Sequence, residues 1–220
     1  MTTAPPLDRL ERVSAWGGST SSLAYVWRPS TLDGVHEAFA ASARYGLSIG
    51  LRGAGQSYGD AALNAEQIVL DCSRLNRILE WNPDTGILRA EPGVTIRQLW
   101  QYTIEDGWWP YVVPGTMAVS LGGAAAMNIH GKNNFKVGTI GEHIRAIDLL
   151  LPSGETRRCT RELEPDLFFA AIGGFGMLGV ITAVELELKR IHSGLLTVDP
   201  ITVPALRRML DSFDARREQA

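Results

Sequence analysis

The sequence has few of the cysteine and histidine patterns that usually identify a class of protein directly. Among its 220 residues are two cysteines, Cys72 and Cys159, without Cys-x-x-Cys spacing. This argues against a disulfide framework and against a zinc site, and it indicates buried thiols in a reducing compartment, so we expect a cytoplasmic protein. The four histidines show no pair at metal-ligand spacing, so we expect no metal.

Strong charge and long apolar runs are also missing. The formal net charge of −3 leaves no basic footprint, so we expect no nucleic-acid partner. The longest run of small apolar residues, Leu121 to Met127, is far shorter than the ~20 residues of a spanning helix. The N-terminus has neither a basic start nor an apolar stretch, so we expect no secretory signal. A membrane span is therefore not expected, and peripheral membrane contact stays open.

Glycine, in contrast, is plentiful and unevenly placed. More than half of the 23 glycines lie in four stretches, 53–59, 115–123, 131–141 and 173–179. Each stretch separates segments with the pattern of regular structure. Four such loops indicate one extended ligand that the backbone contacts from several directions. A turn-rich β protein is the less favoured alternative.

The first of these loops is the most informative. It follows an alternating strand pattern at 47–51 and places Gly53, Gly55 and Gly59 close to Arg52 and Ser57. Glycine clusters mark backbone with positive φ or with a close neighbour. Consecutive N–H groups in such a loop can form a concavity that binds phosphate oxygens. Taken alone, the loop fits an ordinary turn equally well.

The order of the expected elements favours an α+β fold with two small lobes. A strand at 24–27, a helix that Ser30 or Thr31 caps and Gly46 ends, and a strand at 47–52 predict a parallel, right-handed β-α-β unit. Further elements are expected as a strand at 67–72, a hairpin from 77–81 and 87–91, a helix from Ile96 to about Asp106, a hairpin from 144–151 and 156–160, a helix at 165–172 and a strand at 180–188.

The sequence pattern around the first glycine-rich loop argues against a nicotinamide-type dinucleotide-binding fold. Gly59 comes one residue late for G-x-G-x-x-G spacing, and residues 60–64 lead to another strand instead of a long helix. Without a helix N-terminus at the loop, that mode of diphosphate binding is lost.

A second informative block runs from Val113 to Asn133. Small residues at 120–126 would let the backbone approach a flat ligand, and His130 and Lys132 follow at once. A redox ring that accepts a hydride becomes anionic, so a nearby cation would stabilise it. Alone, His130 fits a structural histidine and Lys132 a solvated lysine. Their position next to the small residues favours the functional interpretation.

From about Trp27 to Leu188 the chain resembles the FAD-linked oxidoreductases of the vanillyl-alcohol oxidase and para-cresol methylhydroxylase (PCMH) superfamily. The resemblance rests on Arg52-Gly-Ala-Gly-Gln-Ser-Tyr-Gly-Asp60, Pro114-Gly-Thr116, Leu121-Gly-Gly123 and Gly173-Gly-Phe-Gly-Met-Leu-Gly-Val-Ile181. His130-Gly-Lys-Asn133 is most similar to the decaprenylphosphoryl-β-D-ribose oxidase branch, which oxidises a hydroxyl of a lipid-linked ribose. Gulonolactone- and alditol-oxidase relatives share these loops less completely.

The resemblance implies FAD as cofactor and assigns site residues. The diphosphate would be held by Arg52, Gly53, Ala54, Gly55, Gln56, Ser57, Tyr58, Gly59, Asp60, Ala61 and Ala62. Gly115, then Ser120, Leu121, Gly122 and Gly123, would pass along the cofactor, and Met127, Asn128, Ile129 and His130 would approach the flavin. Ile181 would contact the adenine side, and Lys132, with His130, would serve catalysis, Tyr58 bordering the same pocket.

The resemblance also predicts how FAD is attached. Many relatives link flavin through a histidine directly after the second loop glycine, where this chain has Gln56. Others use a cysteine shortly after Pro-Gly-Thr, where this chain has Met117. Neither nucleophile is present, so we expect noncovalent FAD.

The predicted organisation is an N-terminal segment at 1–22, an FAD-binding domain at 23–191 and the beginning of a substrate-cap domain at 192–220. The first lobe would cover about 23–75 and the second about 76–191. In the last part a strand at 195–198 and a helix after Thr202 are expected, with Leu206, Met209, Leu210 and Phe213 on one uncovered side. We therefore expect a further domain or a partner subunit to complete the protein.

The sequence thus favours the FAD-binding portion of an oxidoreductase that takes hydride from a hydroxyl-bearing carbon of a sugar or polyol. Alone, the portion is expected to be inactive. A non-catalytic or electron-transferring FAD subunit is the alternative, and a phosphate-binding module without redox function is a weaker one.

Overall fold

The computed structural model describes residues 4–198 and 200–217, which form two β-sheets with helices around them. The first sheet contains β1 (Leu10–Ser14), β2 (Ser21–Trp27), β3 (Ile49–Arg52) and β4 (Ile68–Asp71), in the order β1-β2-β4-β3. Strands β2 and β3 both run parallel to β4, which lies between them. Helix α1 (Leu32–Tyr45) connects β2 to β3, so the predicted parallel β-α-β unit is confirmed.

The ends of α1 follow from single residues. The Thr31 hydroxyl accepts a hydrogen bond from the Gly34 N–H group and caps the helix. Gly46 ends it in the left-handed conformation, at φ 66°.

The second sheet is antiparallel throughout. It contains β5 (Ile78–Asn82), β6 (Ile87–Ala90), β7 (Trp108–Pro110), β8 (Ile144–Leu150), β9 (Thr156–Thr160) and β10 (Val180–Arg190). The order is β5-β6-β10-β8-β9, and β7 pairs with the far end of β10. The predicted hairpins β5-β6 and β8-β9 are both confirmed.

Five more helices lie in the described part of the chain. They are α2 (Ile96–Thr103), α3 (Leu121–Ala126), α4 (Asn134–Val137), α5 (Pro165–Ala171) and α6 (Leu206–Arg216). Thr95 and Gln98 form a reciprocal capping box at the start of α2. The prediction that α2 reaches about Asp106 is wrong, because the helix ends at Thr103 and the chain then turns, with the Gly107 N–H group donating to the Ile104 carbonyl.

The buried apolar residues of the described chain form three clusters, the smallest being Val13, Ala24, Val26 and Val69 of the first sheet. The other two join helices to the sheets. The larger packs α2, α3 and α5 on the second sheet, with Leu99, Leu121 and Phe168 fully buried. The smaller packs α1 on the first sheet and also includes Leu150 and Val180 of the second. The sheets therefore adjoin where β3 and β4 end and β10 begins.

Several elements differ from the sequence-based expectation. Residues 10–14, assigned to a segment outside the domain, form β1, which pairs antiparallel with β2. The expected strand at 195–198 is wrong, because its residues lie in irregular chain with Leu195 and Leu196 almost fully exposed. Strand β7 and helices α3 and α4 were not predicted. The α+β class is correct, and no helix of the described ranges is long and apolar enough to cross a membrane.

Candidate cofactor-binding groove

A groove lies where the two sheets adjoin. It consists of two depressions with about 610 and 800 Å³ of space open to solvent. Both share the same neck, which is lined by Gly53, Ser57, Ala61, Ala62, Gly123 and Met127. The two depressions are therefore continuous and form one elongated site.

The two ends differ in their walls. One end, here called the Ile181 end, is also lined by Leu51, Cys72, Pro92, Phe175 and Ile181. The other, the Tyr58 end, is also lined by Gly55, Gln56, Tyr58, Ser120 and Ile129. An elongated ligand with a ring system at each end and a polar centre matches this shape.

A hydrogen bond joins the two Gly-rich blocks beside the neck. The Ser120 hydroxyl accepts a hydrogen bond from the Ala54 N–H group, at 3.2 Å between oxygen and nitrogen. A Cβ on Gly53 would lie 2.2 Å from that hydroxyl oxygen. Only glycine at position 53 allows this approach.

The loop after β3 presents its main chain to the groove. Within the described part of the chain, the N–H groups of Gly53, Gly55, Gln56, Ser57 and Tyr58 donate to no protein acceptor. Main-chain N–H groups without a partner are costly unless water or a ligand satisfies them. Grouped in one loop, they fit the oxygens of a diphosphate.

The Arg52 side chain connects this loop to neighbouring main chain by hydrogen bonds. Its guanidinium donates to the Ser14 carbonyl at 3.0 Å and to the Ala62 carbonyl at 3.3 Å. Burial lowers the pKa of Arg52, and the nearby Asp71 carboxylate partly offsets that effect. Gly55 has φ 67°, and a Cβ there would lie 2.2 Å from an Arg52 nitrogen, so the loop and the arginine fit only with glycine.

The groove brings together most of the residues that the resemblance assigned to FAD. Its walls contain Arg52, Gly53, Ala54, Gly55, Gln56, Ser57, Tyr58, Gly59, Ala61, Ala62, Ser120, Gly122, Gly123, Met127, Ile129 and Ile181. Six assigned residues are not among its walls: Asp60, Gly115, Leu121, Asn128, His130 and Lys132.

Two of these six have structural contacts instead. Leu121 is fully buried in the larger core. The Asn128 side-chain oxygen accepts a hydrogen bond from the Gly141 N–H group at 3.0 Å, and Asn128 itself has φ 43°. Both residues shape the groove from behind its wall.

His130 and Lys132 follow Ile129, which lines the Tyr58 end, by one and three residues in the sequence. Both are exposed. His130 pairs with Thr139 through an isolated β-bridge, and Nδ1 of its ring lies 3.2 Å from the Gly131 carbonyl. Asn133 donates its side-chain amide to the Tyr111 carbonyl, so main chain on both sides of Lys132 is fixed.

Sequence reasoning missed several groove contacts. Phe175 forms part of the Ile181 end, where its N–H group donates to the Ala126 carbonyl at the end of α3. Cys72 lies in the same wall, and burial, with a smaller effect from Asp71, raises the pKa of its thiol to about 12. The glycines at 173–179 signalled the Phe175 loop, whereas no local pattern marked Cys72.

The position and lining of this groove fit an elongated dinucleotide cofactor. Residues 23–160 match the FAD binding domain family, and the chain belongs to that family. Its cofactor is FAD, and its relatives are FAD-linked oxidoreductases of the vanillyl-alcohol oxidase and PCMH superfamily, which confirms the resemblance. In the described residues no His, Cys, Asp and Glu side chains cluster as a metal site.

Three relatives show how far the similarity extends. Decaprenylphosphoryl-β-D-ribose oxidase of Mycolicibacterium smegmatis is 34% identical over 86% of this chain and 42% of its own length. An uncharacterised FAD-linked oxidoreductase of Mycobacterium tuberculosis is 27% identical over 78% of this chain and 39% of its own. A putative D-arabinono-1,4-lactone oxidase of Neurospora crassa is 26% identical over 78% and 31%. The chain thus spans less than half the length of these relatives.

Proposed function

We propose that this chain is the FAD-binding portion of an oxidoreductase that oxidises a hydroxyl-bearing carbon of a sugar, polyol or lipid-linked sugar. The observation that carries the proposal is the 34% identity with a ribose oxidase, which spans both walls of the groove. The lactone oxidase relative supports a sugar-derived substrate class.

FAD, when bound, supplies the hydride acceptor at N5 of its flavin ring. In our proposal the unpaired N–H groups of the loop after β3 hold the diphosphate at the neck. The adenine then lies toward Ile181 and the flavin toward Ile129. Gln56 replaces the linking histidine of other relatives, so attachment is noncovalent.

Lys132 and His130 are the proposed polar groups of the reaction. Both follow closely after Ile129, which lines the Tyr58 end where we place the flavin, and Lys132 carries a positive charge. An ammonium group there stabilises negative charge that develops on the ring or orients the substrate hydroxyl. We propose that the base that removes the hydroxyl proton lies outside these 220 residues, in a part of the relatives' length that this chain does not span.

The direct test is anaerobic reduction. The protein, isolated with any segment or subunit that accompanies it in the cell, is loaded with FAD and mixed with ribose, arabinitol or an alkylphosphoryl ribose. Loss of the visible flavin absorbance with at least one compound is expected. A protein that binds FAD and is reduced by dithionite but by none of these compounds would contradict the proposed substrate class.

A second candidate is an FAD subunit that passes electrons to a partner. It is favoured by α6, whose Leu206, Leu210 and Phe213 are 68%, 48% and 66% exposed. A cap domain of the same chain would cover this face equally well. Flavin reduction by a protein partner, and not by sugar alcohols, would identify this second function.

We also propose a cytoplasmic location, which the two free cysteines support. The proposed partners are the sugar or polyol substrate and the domain or subunit that covers α6, with no nucleic acid. Peripheral membrane contact would follow if the substrate is lipid-linked.

A further inference from the structure

The turn after β1 touches the loop that lines the neck of the groove. The Trp16 N–H group donates to the Ser57 carbonyl at 3.0 Å. The Ser14 carbonyl accepts from Arg52 at 3.0 Å, and a Cβ on Gly17 would lie 3.1 Å from the Tyr58 carbonyl oxygen. Residues 14–17 therefore pack along the outer side of that loop.

A side-chain contact in this region joins two aromatic rings. Trp16 and Tyr58 meet edge to face, with ring centroids 5.1 Å apart and planes at 88°. Both side chains remain exposed, at 56% and 74%. Burial in a core therefore does not account for the pair, and its effect is to fix Tyr58 at the wall of the Tyr58 end.

These contacts of residues 14–17 affect ligand binding because the loop after β3 is rich in glycine and contains the N–H groups without a protein acceptor. Glycine loses more conformational freedom than other residues when it is ordered. A loop already held in its binding conformation spares the ligand that entropy cost, so the ligand binds more tightly.

We infer that Trp16 is a positioning residue of the FAD site, and that residues 14–17 belong to that site. These residues precede the segment 23–160 that matches the FAD binding domain family. The inference rests on FAD as cofactor and not on the oxidation of a sugar, so it is tested without any substrate.

The test compares six forms of the chain: the unchanged protein, Trp16→Ala, Trp16→Phe, Tyr58→Ala, the double variant of Trp16→Ala with Tyr58→Ala, and Tyr102→Ala. Tyr102 is a matched control because it is also an exposed aromatic side chain, at 52%, and lies outside the groove walls. Apoprotein is titrated with FAD, and the change of flavin fluorescence gives Kd. Thermal unfolding of each apoprotein is measured in parallel.

The expected result is a five- to tenfold higher Kd for Trp16→Ala, an apoprotein Tm close to that of the unchanged chain, and recovery to within twofold in Trp16→Phe. Tyr102→Ala should leave Kd unchanged. Because Trp16 and Tyr58 act as a pair, adding Tyr58→Ala to Trp16→Ala should raise Kd less than it does in the unchanged chain.

Two results would overturn the inference. One is an unchanged Kd in Trp16→Ala. The other is a weaker Kd that follows a matching fall of the apoprotein Tm and is not restored by phenylalanine, since that would show a role in general stability only. Neither result depends on whether the protein oxidises a sugar.

Discussion

The Ser120 hydroxyl accepts a hydrogen bond from the Ala54 N–H group, at 3.2 Å, although the two residues are 66 positions apart in sequence. Ala54 follows a strand of the first sheet, and Ser120 precedes α3, which packs on the second. A buried hydroxyl therefore joins the two walls beside the neck of the groove.

This contact predicts a specific coupling between Gly53 and Ser120. Gly53→Ala should lower the free energy of unfolding by about 1–3 kcal/mol, because the new Cβ would meet the Ser120 oxygen at 2.2 Å. Ser120→Ala should cost about 1 kcal/mol, since the Ala54 N–H group loses its acceptor. In the double variant the atom nearest to the new Cβ would be the Cβ of residue 120 at 3.5 Å, so Gly53→Ala should add almost nothing to the cost of Ser120→Ala.

Urea unfolding of the four apoproteins measures this cycle. Gly59→Ala is the matched control, because a Cβ there meets no atom within 4 Å, and its free energy of unfolding should change by less than about 0.5 kcal/mol. Strictly additive losses for Gly53→Ala and Ser120→Ala would show that the two blocks do not touch as described.

The sequence alone was sufficient for elements with local signals. Thr31 and Gly46 marked both ends of α1, and the turn residues of two hairpins predicted β5-β6 and β8-β9. The elements that were missed depend on distant partners. Strand β1 contains two charged residues, and only Val13 is buried, so its strand conformation comes from pairing with β2. Helix α3, with two glycines, is held by bonds from Leu121 to Val94 and from Gly122 to Pro92.

Site residues that belong to a local sequence motif could be predicted, whereas contacts between segments that are distant in sequence could not. The Gly-rich loops and the FAD resemblance identified most of the groove wall. The contact of Ser120 with Ala54 joins segments whose proximity no sequence pattern reveals. Trp16 was likewise assigned to a segment outside the domain, because its contact with Tyr58 exists only after β1 pairs.

The flavin should separate completely from the protein on acid precipitation. The two positions at which relatives form a flavin bond carry Gln56 and Met117, neither of which is the nucleophile used there. The Gln56 side chain donates instead to the Ala54 carbonyl at 3.2 Å. Measurement of flavin in supernatant and pellet tests this, and fluorescent protein on a denaturing gel would contradict it.

Lys132→Ala should slow substrate-dependent flavin reduction at least tenfold while leaving the Kd for FAD within about twofold, because the side chain lies outside the groove walls. Stopped-flow reduction and FAD titration measure the two quantities separately. Lys189→Ala on β10 is the lysine control, and its rate of flavin reduction and its Kd for FAD should equal those of the unchanged protein. Unchanged reduction in Lys132→Ala would remove this lysine from the proposed reaction.

Cys72 provides a pH-dependent test of how closed the Ile181 end is. Burial, and to a lesser extent Asp71, raises the pKa of its thiol from 9.0 to about 12. Below about pH 9 the thiol is protonated in both the folded and the unfolded chain, so it adds no pH dependence. Between about pH 9 and 12 the unfolded chain releases this proton and the folded chain keeps it, so the free energy of unfolding falls as pH rises.

The variant Cys72→Ala removes this effect and leaves other titrating groups in place. Both forms should carry Cys159→Ala, because burial raises the pKa of the Cys159 thiol as well and would contribute with the same sign. The unfolding free energies should then differ by a constant amount up to about pH 9, and the form that retains Cys72 should lose stability relative to Cys72→Ala above it. Parallel curves through pH 11 would mean that the thiol ionises as readily in the folded chain as in the unfolded one. That outcome would place Cys72 in contact with water and would make the wall beneath the Ile181 end open, not packed.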